Sequence, residues 1–294
     1  MLAYFNNYIN SKLNQNKHVI VVFLDLKKAF DTLSHIKIIE SLENEVGVTL
    51  ETKNWFVDFL RSRSAMVKIN ETLSNKFQLN SGVPQGSNLG PLLYLAQVIS
   101  MAKLPLKTKL FQYADDTVLI AAHKDFYEAE NMLRNDLHLI QQWVHDNCLI
   151  LNKNKTTVMH VRPPTKPSQA VKIHFHSDAC LHATKIGNIC NCKEILIQVQ
   201  NQKYLGVMID DAFCWEPHMD SVCKRLRSCA FGLSILKNCV CKKTLIMVYQ
   251  ALAESVVRYG LTAWGSGSST YLFRIEKLQL ALLKIIHKKQ NNRT

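Results

Sequence analysis

Apolar and polar positions alternate along this chain in two rhythms, and each change of rhythm marks an element boundary. His18–Leu26, HVIVVFLDL, is a β-branched, apolar run of strand length. It is apolar on both faces, which predicts a buried central strand. Asp25 at its C-terminal end places a carboxylate where such a strand emerges. After it, Ile36, Ile38, Ile39, Leu42 and Val46 recur at helical spacing, with Asp31 or Ser34 as N-cap and Gly47 as the stop. Trp55, Phe56, Phe59 and Leu60 predict a second helix, and Met66–Ile69 with Lys76–Leu79 predict two short strands around a polar turn. Ser81–Pro91, SGVPQGSNLGP, reads as a loop, and the buried helix that follows it must end at Pro105.

Lys109–Ala122, KLFQYADDTVLIAA, is apolar on both sides of a polar centre, which predicts a strand pair with Ala114, Asp115 and Asp116 at the turn. Phe126, Ala129, Leu133, Leu137, Ile140 and Val144 mark a long amphipathic helix. It runs into Leu149–Val161, where Asn152 to Thr157 form a polar, basic patch. Residues 162–202 lose the periodicity and are rich in His and Cys. Tyr204–Asp210, YLGVMID, restores order as a strand, and from Pro217 the pattern is helical. These elements predict an α+β fold in which a small antiparallel sheet backed by helices fills 1–216, with a His/Cys-rich insertion at about 163–202. Residues 217–294 form a separate helical region. Trp143, Trp215 and Trp264 could stack on bases, but helical or strand positions favour core roles for them.

At 294 residues and 47% hydrophobic, the chain can bury a sizeable core. Lys and Arg number 36 against 23 Asp and Glu, a formal charge of +13, which favours an anionic partner. The longest apolar stretch, Leu89–Leu106, is interrupted by Gln97, Ser100 and Lys103, so no membrane span or membrane partner is expected. The N-terminus lacks the basic start and apolar core of a secretion signal. The nine cysteines are therefore expected to be reduced thiols in an intracellular protein, nuclear or cytoplasmic. His174, His176, Cys180, His182, Cys190 and Cys192 are the one dense cluster of soft ligands. Cys190–Asn191–Cys192 leaves a single residue between thiols, tight for zinc, so a metal-free insertion is the expectation there.

Three aspartates carry the candidate chemistry. Nucleotide polymerisation needs two divalent ions, one for the attacking hydroxyl and one for the leaving pyrophosphate. Magnesium, a hard ion, takes carboxylate oxygens. Asp25 at a strand end and the Asp115–Asp116 pair at a hairpin turn could converge if their strands are neighbours. Consecutive strand residues face opposite ways, so both members of the pair reach one site only if the turn rotates one of them. Asp115 is the stronger candidate. Singly, each aspartate is most simply a cap or a solvated turn residue; their flanks change that weighting.

FLDLKKAFD (Phe23–Asp31), SGVPQGSNLGPLL (Ser81–Leu93), QYADDT (Gln112–Thr117), LNKNKT (Leu151–Thr156) and YLGVMID (Tyr204–Asp210) occur in this order. The series resembles the palm motifs of reverse transcriptases of non-LTR, LINE-type retrotransposons, and VVRYGLTAWG (Val256–Gly265) resembles their thumb-side region. The resemblance runs from near Asn6 to about Lys288. It implies a partial fingers and palm followed by a helical thumb, and an RNA-directed DNA polymerase that extends a DNA primer on an RNA template with dNTPs. It implies two Mg2+ ions, with Mn2+ able to replace them, on Asp25, Asp115, Asp116 and the backbone of Leu26. It implies that Phe30 gates the sugar, where a rigid ring would collide with a 2′-hydroxyl. Gln85, Gly86 and Ser87 would pack on template and nucleotide, with Tyr113 beside them. Lys155 would stand near the leaving phosphates, and Tyr204, Leu205 and Gly206 would grip the primer. Two departures stand out. Only about two dozen residues precede Asp25, so the resemblance is to an N-terminally truncated member, and YLAQVISMAKL after Leu93 replaces the family's polar Asn-Asp pair. The competing expectation is an inactive relic that keeps nucleic-acid binding. A metal-dependent nuclease explains the carboxylates but neither SGVPQGSNLGP nor YLGVMID.

Overall fold

The computed structural model describes residues 1–84, 86–176 and 194–287. They form two compact units, one built of Val19–Val158 and Ala170–Gln198, the other of Met1–His18, Met159–Gln169 and Val199–Thr294. In chain order the first elements are α1 (Leu2–Asn14), β1 (His18–Leu24), α2 (His35–Ser41) and α3 (Leu50–Leu60). Four two-residue strands follow: β2 (Ser64–Ala65), β3 (Lys68–Ile69), β4 (Thr72–Leu73) and β5 (Phe77–Gln78). Next come α4 (Gly90–Val98), β6 (Lys109–Tyr113), β7 (Asp116–His123), α5 (Phe126–Asp146), β8 (Thr157–Val161) and β9 (Ile197–Gln198). β10 (Asn201–Tyr204) and β11 (Val207–Asp210) precede helices that occupy much of the chain from Glu216 to His287.

The main sheet has the order β6-β7-β1-β8-β9, so β1 is the central strand. Val19 to Leu24 are all buried, as a strand covered on both faces requires. β6 and β7 pair antiparallel, and β8 and β9 pair parallel. α5 covers the sheet with Phe126, Ala129, Leu133, Leu137, Ile140 and Val144, the stripe read from the sequence. Each fully buried large side chain of that stripe contributes about 1.5–3 kcal/mol. The helix is fixed at both levels of structure. Asp125 caps it by accepting from the Glu128 N–H at 2.9 Å. Deeper in, buried Asp136 accepts from the Thr108 N–H at 2.6 Å, which ties the helix to the approach to β6.

Ser34, rather than Asp31, caps α2 by accepting from the Lys37 N–H. The predicted strand pair at 66–79 is two short ladders, β2 with β5 and β3 with β4. YLGVMID is not one strand. Tyr204 pairs with Val207 across a two-residue turn, because Leu205 (φ 44) and Gly206 (φ 80) both adopt left-handed conformations. Two left-handed central residues define a tight hairpin turn whose twist matches that of its strands. α1 had no counterpart in the pattern, since its buried residues are limited to Phe5, Asn6 and Ile9. Trp143, Trp215 and Trp264 are all buried, as core residues. Among the described residues no helix is long and apolar enough to cross a membrane.

Candidate active site

β6 and β7 pair in register up to Tyr113–Asp116, leaving Ala114 and Asp115 as a two-residue turn. Ala114 sits at φ 51. A left-handed alanine costs about 1–2 kcal/mol, strain that the flanking ladder must hold in place. Asp115 lies in the turn and Asp116 in the strand, so the strict alternation of faces along a strand does not apply to the pair. β1 neighbours β7, and Asp25 lies one residue past its end. The Asp116 carboxyl is held above the ordinary carboxylate range, first by partial burial, then by the negative charges of Asp115 and Asp25. The three acids from two separate segments therefore share one electrostatic neighbourhood. Tyr94 on α4 belongs to it as well. Burial, then Asp115 and Asp116, raise its phenol beyond the usual range.

Asp25 is held at three points. Its carbonyl accepts from the Asn152 N–H at 2.7 Å, and its N–H donates to the Thr156 hydroxyl at 3.4 Å. Its Oδ2 accepts from Asn152 Nδ2 at 2.9 Å. Leu26 and Leu151 form a bridge whose two hydrogen bonds are Lys27 N–H to Ile150 and Asn152 N–H to Asp25. The Leu26 carbonyl is not an acceptor in that bridge. Lys155 is exposed on the turn closed by its N–H to the Asn152 carbonyl at 3.1 Å.

No three His, Cys, Asp or Glu side chains among the described residues are drawn tightly enough together to cage a metal as placed. The donor chemistry nevertheless suits a hard divalent cation. The negative charges of Asp115 and Asp25 favour a proton on Asp116, and a divalent cation would relieve the same repulsion in the proton's place.

Phe30 is half-buried and packs on Tyr94, with ring centroids 5.3 Å apart at 36°. The following loop is stitched to the same segment. Val83 N–H donates to the Phe30 carbonyl at 2.9 Å, and Gly82 N–H to that of Leu33 at 2.8 Å. Gly86 (φ 81) has open space where a side chain would stand. Ser87 accepts from the Gly90 N–H at 3.0 Å and so starts α4. Gln85 lies outside the described residues. Tyr113 is exposed beside the carboxylate turn.

Tyr204, Leu205 and Gly206 belong to the other unit. Tyr204 is buried, and the Tyr259 hydroxyl donates to the Leu205 carbonyl at 2.7 Å. A Cβ on Gly206 would meet Tyr259 Cε1 at 3.0 Å, so the turn is fitted against that ring. Of the His/Cys cluster, His174 and His176 are described, whereas Cys180, His182, Cys190 and Cys192 lie outside the described residues. The His176 ring meets His138 of α5 edge-on at 4.8 Å.

Sequence reasoning missed Tyr94 and Asn152. Tyr94 was hidden in the helix that departs from the family pattern, and Asn152 in a motif read only for its lysine. Residues 5–209 match the family described as reverse transcriptase (RNA-dependent DNA polymerase). The chain is 26% identical over 297 residues to the probable RNA-directed DNA polymerase from transposon BS of Drosophila melanogaster, covering 95% of this chain and 30% of that protein. It is 23% identical over 298 residues to the RNA-directed DNA polymerase from mobile element jockey of the same species, with shares of 95% and 30%. The chain thus spans 30% of the length of either relative. A solved structure of apo telomerase from Candida tropicalis shares the fold, at a TM-score of 0.52 and 14% identity over 98% of this chain and 45% of that one.

Proposed function

Because the chain belongs to the reverse transcriptase (RNA-dependent DNA polymerase) family, we propose that it is the catalytic core of a retrotransposon polymerase that extends a DNA primer on an RNA template. The observation that carries this is the adjacency of β1 and β7 in the sheet, with Asp25 just past the end of β1 and close enough to the Asp115–Asp116 hairpin for its charge to act on Asp116. Asp25, Asp115 and Asp116, with the Leu26 carbonyl, would hold two magnesium ions, or manganese in their place. Such ions lower the charge barrier to attack by a 3′-hydroxyl and to departure of pyrophosphate.

The remaining residues orient and select. The Phe30 ring, backed by Tyr94 at 5.3 Å, forms a stiff wall beneath the nucleotide sugar. A 2′-hydroxyl, the group that separates RNA from DNA precursors, has no room against it. Gly86, with open space above its Cα, lets the backbone approach the template and nucleotide, beside Gln85 and Ser87. Tyr113 flanks the carboxylates on the hairpin. Lys155 offers a positive charge to the leaving phosphates from the turn that Asn152 closes. The Tyr204–Gly206 turn, buttressed by Tyr259, supports the primer strand. The formal charge of +13 attracts the nucleic-acid backbone and makes binding salt-dependent.

The test is primer extension on an RNA template with dNTPs. Extension by the wild-type chain that Asp115→Asn abolishes supports the proposal. The departure at YLAQVISMAKL motivates the competing reading, an inactive relic. Salt-sensitive RNA binding without extension at any magnesium or manganese concentration would establish that reading instead.

A further inference from the structure

Asn152 touches the candidate site at two points and carries no charge of its own. Its N–H donates to the Asp25 carbonyl at 2.7 Å, and its Nδ2 donates to Asp25 Oδ2 at 2.9 Å. Its own carbonyl accepts from Lys155 N–H at 3.1 Å and Thr156 N–H at 2.8 Å, which closes a tight turn. Thr156 is fully buried, and its hydroxyl accepts from the Asp25 N–H at 3.4 Å. Lys153 within the turn pairs with Glu194 at 2.7 Å. Asn152 is therefore itself held before it holds anything else.

A carboxylate at the end of a strand can rotate about its side-chain bonds, and each rotation presents different lone pairs. One amide N–H directed at Oδ2 removes that freedom. It occupies one lone pair of that oxygen and leaves Oδ1 and the remaining lone pair for a cation. A donor that orients a ligating carboxylate typically governs metal affinity by 10–100-fold without touching the metal. Aspartate at this position would have the same shape but no proton to donate, which explains why the site uses an amide. We propose that Asn152 is a positioning residue, whose side chain sets the orientation in which the Asp25 carboxylate receives a divalent cation. This rests on the metal-dependent reading of the site given above.

The side chain can be tested apart from the turn, because the N–H and carbonyl of residue 152 persist in any variant except proline. Asn152→Leu keeps the shape and removes the donor. Mn2+ binding to the full chain, without nucleic acid, is read by loss of the free-ion electron paramagnetic resonance signal. The expected result is a dissociation constant raised about 10–100-fold in Asn152→Leu, with the melting temperature unchanged. Extension in the variant should be restored at high metal, a response that a merely structural defect would not give. If Asn152→Leu melts lower, Asn152→Ser decides the matter. Serine keeps the turn preference, but its hydroxyl is too short to reach Oδ2, and the same loss of Mn2+ affinity is expected. Wild-type binding that Asp25→Asn abolishes but both Asn152 variants leave intact overturns this proposal alone. Wild-type chain that binds no Mn2+ removes the metal reading and this proposal together.

Discussion

Gly82 offers a sharp test of how the SGVPQG loop is seated. Its backbone is left-handed at φ +81, and a Cβ there would stand 2.8 Å from the Asp31 carbonyl oxygen and 3.1 Å from Asp31 C and Cα. These are backbone atoms, which cannot swing away as a side-chain tip can. The loop is also bound on either side of this point. Gly82 donates to Leu33 at 2.8 Å, Val83 donates to Phe30 at 2.9 Å, and His35 Nε2 lies 2.7 Å from the Gly82 carbonyl. Any shift that relieves the contact must therefore stretch several hydrogen bonds. Gly86 is a matched control, with the same φ of +81 and nothing within 4 Å of its Cβ position.

Gly86→Ala should cost the conformational term alone, about 1–2 kcal/mol. Gly82→Ala adds overpacking against the Asp31 backbone, a further ~1–3 kcal/mol, for a total near ~3 kcal/mol. At roughly 2–4 °C per kcal/mol for a unit of this size, Gly82→Ala should melt about 6–12 °C lower than wild type. Gly86→Ala should fall by about 2–8 °C by the same conversion, and by less than Gly82→Ala measured beside it. Urea denaturation followed by circular dichroism gives the same comparison as a midpoint, with an unchanged slope if compactness is retained. Equal melting of the two variants would refute the argument, because the contact with Asp31 is the feature that separates them.

Phe30→Val should relax sugar selection, read as a lower ratio of dNTP to rNTP incorporation; unchanged discrimination would remove the ring from that role. Asp116→Asn should raise the melting temperature in chelator while abolishing extension, because folding holds this carboxyl above its ordinary range and so penalises its charged form at neutral pH. Magnesium should stabilise the wild-type chain more than that variant. His160 and His218 are pushed down to about 4, mainly by burial. Their contribution is thus fully present above the unfolded histidine range near 6.5 and lost as pH falls from there toward 4, up to about 1.4 kcal/mol per pH unit per group. Urea midpoints measured across that window should fall less steeply in His160→Gln, and an identical slope would exclude His160 as a source.

What could be read from residues alone followed from how local each feature is. The buried run at β1, the α5 stripe and the hairpin around Asp115 rest on periodicity within a single segment, and each reappears in the structure at those positions. The Leu205–Gly206 turn was read as strand because leucine carries no turn signal, yet it is held at φ 44 with Tyr259 bonded to its carbonyl. That contact joins residues 54 apart, and no window on YLGVMID contains it. Asn152 was missed for the same reason. Its partner is 127 residues away, and an amide inside a basic turn has no pattern of its own. The acids of the proposed site were legible because they belong to motifs, whereas Asn152, proposed to orient one of them, became legible only when the chain had closed. A polymerase site needs both kinds of residue. Like-charged carboxylates gain nothing by approaching one another, so the contacts that fix Asp25 through Asn152 and Thr156 are what hold it in its place.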